Sequence, residues 1–139
     1  MNLKKHLFGT DADANPGLVI LRVFIGAAML THGWSKMFGG PEAQVGYLTA
    51  LGLPAPHLLA FLSAFAECFG AIFLLAGLLT RPAAFLILCN MSVAIGVALK
   101  GQPFAKQELA WLYWVPALFF LLKGPGKWSL DWVVSKKIN

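Results

Sequence analysis

The sequence predicts an all-α membrane protein: a four-transmembrane-helix bundle, a short interfacial helix between helices 1 and 2, and a surface-lying C-terminal tail. Three observations carry this expectation. Of 139 residues, 58% are apolar and only 12% are charged, against about 25% charged in a soluble domain. The apolar residues gather into four long runs. Those runs are apolar all round, which suits helices that satisfy their own backbone in lipid rather than short alternating strands. The length fits a single domain over residues 1–139.

The chain opens with the polar stretch MNLKKHLFGTDADAN. Lys4 and Lys5 precede an apolar run, but that run starts only at Gly17, and no small-residue cleavage site with a polar mature chain follows. The first segment therefore reads as a retained span rather than a signal peptide. Asn15-Pro16 caps it, and Gly39-Gly40-Pro41 closes it, giving a span over residues 17–38.

Residues 42–53, EAQVGYLTALGL, place Val45, Leu48 and Leu51 on one side of a short helix, an interfacial or re-entrant segment on the outer side. Leu53-Pro54-Ala55-Pro56 then starts a second span over 58–79, interrupted by Glu67. Thr80-Arg81-Pro82 breaks to a third span over 82–99, whose interior carries no charge. The fourth run is short, and Gln107, Glu108 and Lys123 extend it to 108–123 by reaching the interfaces. Pro116 predicts a kink within it, because proline removes a backbone hydrogen bond. The tail KWSLDWVVSKKIN reads as an inner-surface anchor through Trp128, Trp132, Lys136 and Lys137.

Four spans put the N-terminus, the Arg81 turn and the C-terminus on one side. That side holds Lys4, Lys5, Arg81, Lys123, Lys127, Lys136 and Lys137; the other holds Lys36, Lys100 and Lys106. The positive-inside rule places both termini in the cytoplasm of an inner-membrane protein. The net charge of +5 arises from lysines at segment ends, with no basic stripe and no nucleic-acid motif, so the lipid bilayer is the expected partner and nucleic acid is not.

Charged groups within a bilayer cost about 2.5–3.5 kcal/mol on insertion scales and face the bundle interior. Arg22 lies about a turn inside the cytoplasmic end, where it either snorkels to phosphate or pairs with a carboxylate. Glu67 lies nine positions into its span, roughly 13 Å deep at about 1.5 Å per residue. It must be protonated or have a cation or donor beside it. His32 lies at a similar depth on the antiparallel first span, so a His32–Glu67 contact is expected, as a packing hydrogen bond or as a proton-handling or ligand site. Lys36 is one turn from His32 on the same face. Gly26, Ala27, Ala28, Ser63, Ala64, Ala66, Gly70 and Ala71 allow close helix approach. Asn90 wants a partner near mid-span. Trp111, Tyr113 and Trp114 read first as interface aromatics.

No metal site is expected: His6 and His57 fall outside the spans, so one chain offers no bis-His haem site, and there is no CxxC, phosphate loop or nucleotide fold signature. Cys68 and Cys89 read as small buried hydrophobes, and the sequence leaves open whether they meet.

An ordered set of short motifs spans residues 17–132. It comprises Leu21-Arg22, His32-Gly33-Trp34-Ser35-Lys36-Met37-Phe38-Gly39, Gly52-Leu53-Pro54-Ala55-Pro56, and Glu67 with Gly70. It continues with Gly77-Leu78-Leu79-Thr80-Arg81, Glu108-Leu109-Ala110-Trp111-Leu112-Tyr113 and Ser129-Leu130-Asp131. This set resembles the DoxX family of small four-helix membrane proteins. The resemblance implies a four-helix membrane fold and a range of roles: the small subunit of a thiosulfate- or sulfide-linked quinone reductase, a membrane partner in redox-stress complexes, or, among distant relatives, a receptor-assembly chaperone. Two departures stand out. Many members are expected to carry a histidine near the end of the third helix, where this chain reads Ala98-Leu99-Lys100-Gly101-Gln102, and the double glycine after the intramembrane acid is reduced to Gly70-Ala71.

Three functional readings follow. In the first, the chain is the membrane component of a quinone-linked oxidoreductase or redox-stress complex, with quinone as a non-covalent ligand. His32 and Glu67 then handle protons; Lys36, Arg22, Asn90, Glu108 and Tyr113 contact ligand; and a protein partner supplies electrons. In the second, it is a non-enzymatic assembly or partner-binding protein whose polar groups only fix helix packing. In the third, a homo-oligomer builds a proton or solute pathway around Glu67, a reading that no inverted repeat supports.

Overall fold

The computed structural model describes residues 14–138; the expectations for Lys4, Lys5 and His6 lie outside that range. Within it the chain is helical, with no strand. The helices are α1 (Pro16–Phe38), α2 (Glu42–Ala50), α3 (Pro56–Ala76), α4 (Thr80–Val93), α5 (Phe104–Lys123) and α6 (Leu130–Ile138). A π-helical turn, Ala94–Ala98, prolongs α4.

Helix boundaries follow local chemistry. The Asn15 side chain accepts from the Gly17 amide at 2.8 Å, with Pro16 in the first turn, satisfying one of the orphan donors at a helix start. Helix α3 ends at Gly77, whose φ of 65° lets its amide and that of Leu78 turn back to Leu74 and Phe73 carbonyls. Helix α5 runs unbroken through Pro116.

Among the described residues, three helical stretches are long and apolar enough to cross a bilayer: Pro16–Phe38, Pro56–Ala76 and Thr80–Ala98. Large apolar side chains face outward along them, among them Ile20, Phe24, Phe61, Leu62 and Phe85. An apolar exterior on this scale needs a covering medium, and lipid supplies one.

Helix α1 packs most extensively on α3, α4 packs on both α3 and α5, and α5 meets α1 only sparsely. The shared core runs from Ile25 and Met29 through Leu74 and Ile87 to Tyr113 and Phe120. The α1–α3 crossing depends on glycine. A Cβ on Gly26 would sit 2.9 Å from the Leu75 Cβ, and one on Gly33 would overlap the backbone of Glu67 and Cys68. Such close approach is how small residues hold membrane helices together.

The end of the bundle that carries the start of α1 is tied by a polar knot. Arg22 is buried and donates to the Pro125 carbonyl at 3.0 Å and the Trp128 carbonyl at 2.7 Å. It therefore neither snorkels nor pairs directly with a carboxylate; two loop carbonyls meet it instead. Asp131, 1% exposed, accepts from the amides of Leu79 at 2.7 Å and Thr80 at 2.9 Å. Those amides open α4, so an anion there satisfies two orphan donors and the helix dipole. Leu79 holds φ 47°, a left-handed geometry that costs a branched residue about 1–2 kcal/mol and that the Asp131 contacts offset.

The tail is thus more than a surface anchor. Ser129 and Asp131 are buried within the knot, whereas Trp128 is exposed and Lys136 lies over the Trp132 ring at 3.8 Å. In α2, Leu48 is buried, while Leu51 falls beyond the helix and is exposed. Tyr47 ties α2 to the π-helical turn by donating to the Ala98 carbonyl at 2.8 Å. Cys68 is buried, Cys89 is exposed, and both are free thiols.

Candidate functional site

At the opposite end from the knot, the four long helices line a half-open cavity of about 190 Å³. Helix α1 contributes Met29, His32 and Lys36, and α3 contributes Glu67. Met91, Ala94 and Leu99 come from α4 and its extension. Lys106, Leu109, Ala110 and Tyr113 come from α5. The α1 positions recur every three to four residues, so one helix face supplies them. His32 of α1 and Tyr113 of α5 meet across the sparse α1–α5 seam.

Glu67 organises the polar part. Its Oε1 accepts from Lys36 Nζ at 2.7 Å, Asn90 Nδ2 at 2.9 Å and Ser63 Oγ at 3.4 Å. Its Oε2 is buried and has no hydrogen-bond partner. A carboxylate has about four acceptor positions, so the donors of three helices converge on one oxygen and leave the other unused. The Lys36–Glu67 pair is asymmetric: the Lys36 side chain is 34% exposed and that of Glu67 4%. Lysine reaches inward along its apolar stem to meet a deep acid.

His32 does not take the expected place beside Glu67. Gly33 brings the α1 backbone onto the Glu67–Cys68 turn, and the long side chain one turn further out has the reach to the carboxylate. The His32 ring instead lies edge-on to Tyr113, with centroids 6.0 Å apart. Both rings line the same cavity as Glu67.

The structure therefore brings together Glu67, His32, Lys36 and Tyr113, with Asn90 holding Glu67 from behind. It does not bring in Arg22, which belongs to the knot at the other end. Glu108 also stays outside, exposed on α5. Trp111 and Trp114 donate to Gln107 Oε1 at 3.4 Å and Ser92 Oγ at 2.8 Å, away from the cavity lining. Among the described residues no cluster of histidine, cysteine and acid side chains is arranged for a metal ion.

Sequence reasoning missed Ser63, Lys106 and the π-helical turn. Ser63 is four residues before Glu67, a spacing that already signals a same-face contact. Lys106 gives no such signal, because its place at the cavity depends on how α5 enters the bundle. π-Helical turns frequently sit at functional sites, and this one supplies Ala94 to the wall, with Leu99 following it.

The sequence model of the DoxX family matches residues 17–100, more than half of the chain. The chain belongs to the DoxX family. The match covers α1 to the end of α4 and so takes in Lys36, Glu67 and Asn90, whereas Lys106 and Tyr113 of α5 lie beyond it. An uncharacterized membrane protein of Mycobacterium tuberculosis is 32% identical over 140 residues, 91% of this chain and 86% of its own. An uncharacterized protein of Haemophilus influenzae is 34% identical over 121 residues, 82% of this chain and 87% of its own. No solved structure matches this DoxX protein significantly.

Proposed function

We propose that this DoxX protein is the membrane component of a quinone-linked oxidoreductase or redox-stress complex, and that the Glu67 cavity binds the ring of the quinone. One observation carries the reading. A buried glutamate, gripped on one oxygen and unpartnered on the other, lines a largely apolar cavity together with a histidine and a tyrosine. Pockets of this kind use an apolar lining to hold a ligand and a few polar groups to orient it. The volume of about 190 Å³ suits a single ring head rather than a whole lipid.

In this reading α5 serves as the fourth span, completing the enclosure. The lysine distribution then puts both termini on the cytoplasmic side of the inner membrane and the cavity toward the outer leaflet. Quinone reduction takes up two electrons and two protons. Electrons come from a redox centre on a partner protein. Tyr113 and His32 donate hydrogen bonds to the ring oxygens, and Glu67 passes protons toward them. Lys36 holds Glu67 in place from the outer rim.

Affinity capture from native membranes tests this, with mass spectrometry of bound proteins and small lipids. Wild type is expected to carry quinone and a redox-active partner, and His32→Ala to lose quinone while keeping the partner. Partner proteins without quinone, unchanged by the substitution, would instead make the chain an assembly protein and His32 a packing residue.

A further inference from the structure

We infer that the cavity selects ligands with an acidic head, with Lys106 as the counter-charge. This rests on the ring-binding reading above and adds the charge of the ligand to it. The lysines and the carboxylate lining the cavity are Lys36, Lys106 and Glu67, and His32 and Tyr113 also face it. Lys36 is neutralised by Glu67 at 2.7 Å. Asn90 and Ser63 donate to the same carboxylate oxygen and add no charge. Lys106 is left over.

No described carboxylate pairs with Lys106. The acid nearest to it in the α5 sequence, Glu108, is two residues on, and residues two apart do not face each other on a helix. Lys106 also lies in the first turn of α5, where the helix dipole adds positive potential of its own. A pocket with one unmatched cation at its mouth and an apolar wall behind it is complementary to an apolar ring or chain that carries one ionised oxygen acid. The pocket is open at its rim, so such an amphiphile can lie with its head at Lys106 and its body inward.

Calorimetric titration of the full chain in nanodiscs tests the inference with three probes: 1,4-naphthoquinone, its 2-hydroxy derivative at a pH where the hydroxyl is ionised, and laurate. Lys106 is exposed, so Lys106→Gln and Lys106→Arg should both fold. The ionised hydroxynaphthoquinone is expected to bind wild type about tenfold more tightly than the neutral parent, the size of one charge-assisted contact. Lys106→Gln should abolish that preference without changing affinity for the neutral ring, and Lys106→Arg should retain it. Equal binding of both rings, or a preference that survives in Lys106→Gln, would overturn the inference and leave the ring-binding reading intact. Laurate binding that requires Lys106, with neither naphthoquinone bound, would sustain the acidic-head inference and remove the ring. Binding of none of the three would overturn both.

Discussion

Replacing Gly33 with alanine should open the α1–α3 crossing. A Cβ there would lie 2.6 Å from the Cys68 Cα and closer still to two neighbouring backbone atoms. Ordinary contact begins at 3.4 Å, so the helices must part by roughly 0.8 Å or more, and backbone cannot swing aside as a side chain can. Overpacking a well-packed core costs about 1–3 kcal/mol, and the upper end applies where backbone is struck. A loss of about 3 kcal/mol lowers the melting temperature by roughly 10 °C in a chain of this size. Gly46→Ala is the matched control: nothing lies within 4 Å of its added carbon, and the helix should gain about 0.5–1 kcal/mol. The buried Cys68 thiol supplies the assay. In a Cys89→Ser background, a thiol-reactive dye reports melting as Cys68 becomes accessible. If Gly33→Ala melts within 2 °C of its parent (about 0.5 kcal/mol here), the close crossing is not what sets the site.

Further outcomes follow from the same contacts. Asp131→Asn cannot accept from both Leu79 and Thr80 amides, and should destabilise by about 2 kcal/mol, the scale for hydrogen bonds to a charged group, read by the same dye assay. Gly77→Ala should be at least as damaging, because its φ is 65° and the added carbon meets Arg22 Nη1 and the Ser129 Cβ at 2.6 Å each. Glu67→Gln keeps the size of the side chain and frees a lysine that is already a third exposed, so the protein should assemble normally while quinone-linked turnover in membranes falls; loss of the folded protein would mark Glu67 as a packing residue. Reporter fusions at each terminus should both read as cytoplasmic, and opposite readings would remove α5 as a span.

Much of the architecture was readable from sequence because lipid imposes simple rules. Prolines and glycines punctuate the runs, and helix ends fell within a few residues of Asn15-Pro16, Pro56, Thr80-Arg81-Pro82 and Gly124. Depth arguments also placed Glu67 and His32 at one level of the bundle, and Asn90 near mid-span without naming its partner. The partner of Glu67 was not readable. His32 and Lys36 share a helix face, and what chooses between them is the close approach of the helices at Gly33 together with side-chain reach. Arg22 and Asp131 were illegible for another reason. Their partners lie 103 and 51 residues away in sequence, among others, and are backbone groups. A carbonyl or amide leaves no residue-type signature, so no spacing rule points to it.

Photolabelling tests the central claim most directly. A short-chain quinone bearing an azido group on the ring, irradiated with the protein in liposomes, reports where the ring resides. Adducts on the α1 segment around Met29–Lys36 and the α5 segment around Lys106–Tyr113, suppressed by excess unlabelled quinone and by His32→Ala, are the expected result. Adducts confined to the outward-facing belt of Phe24, Phe61 and Phe85, insensitive to competition, would show a ring that merely dissolves in the surrounding lipid and would contradict the account.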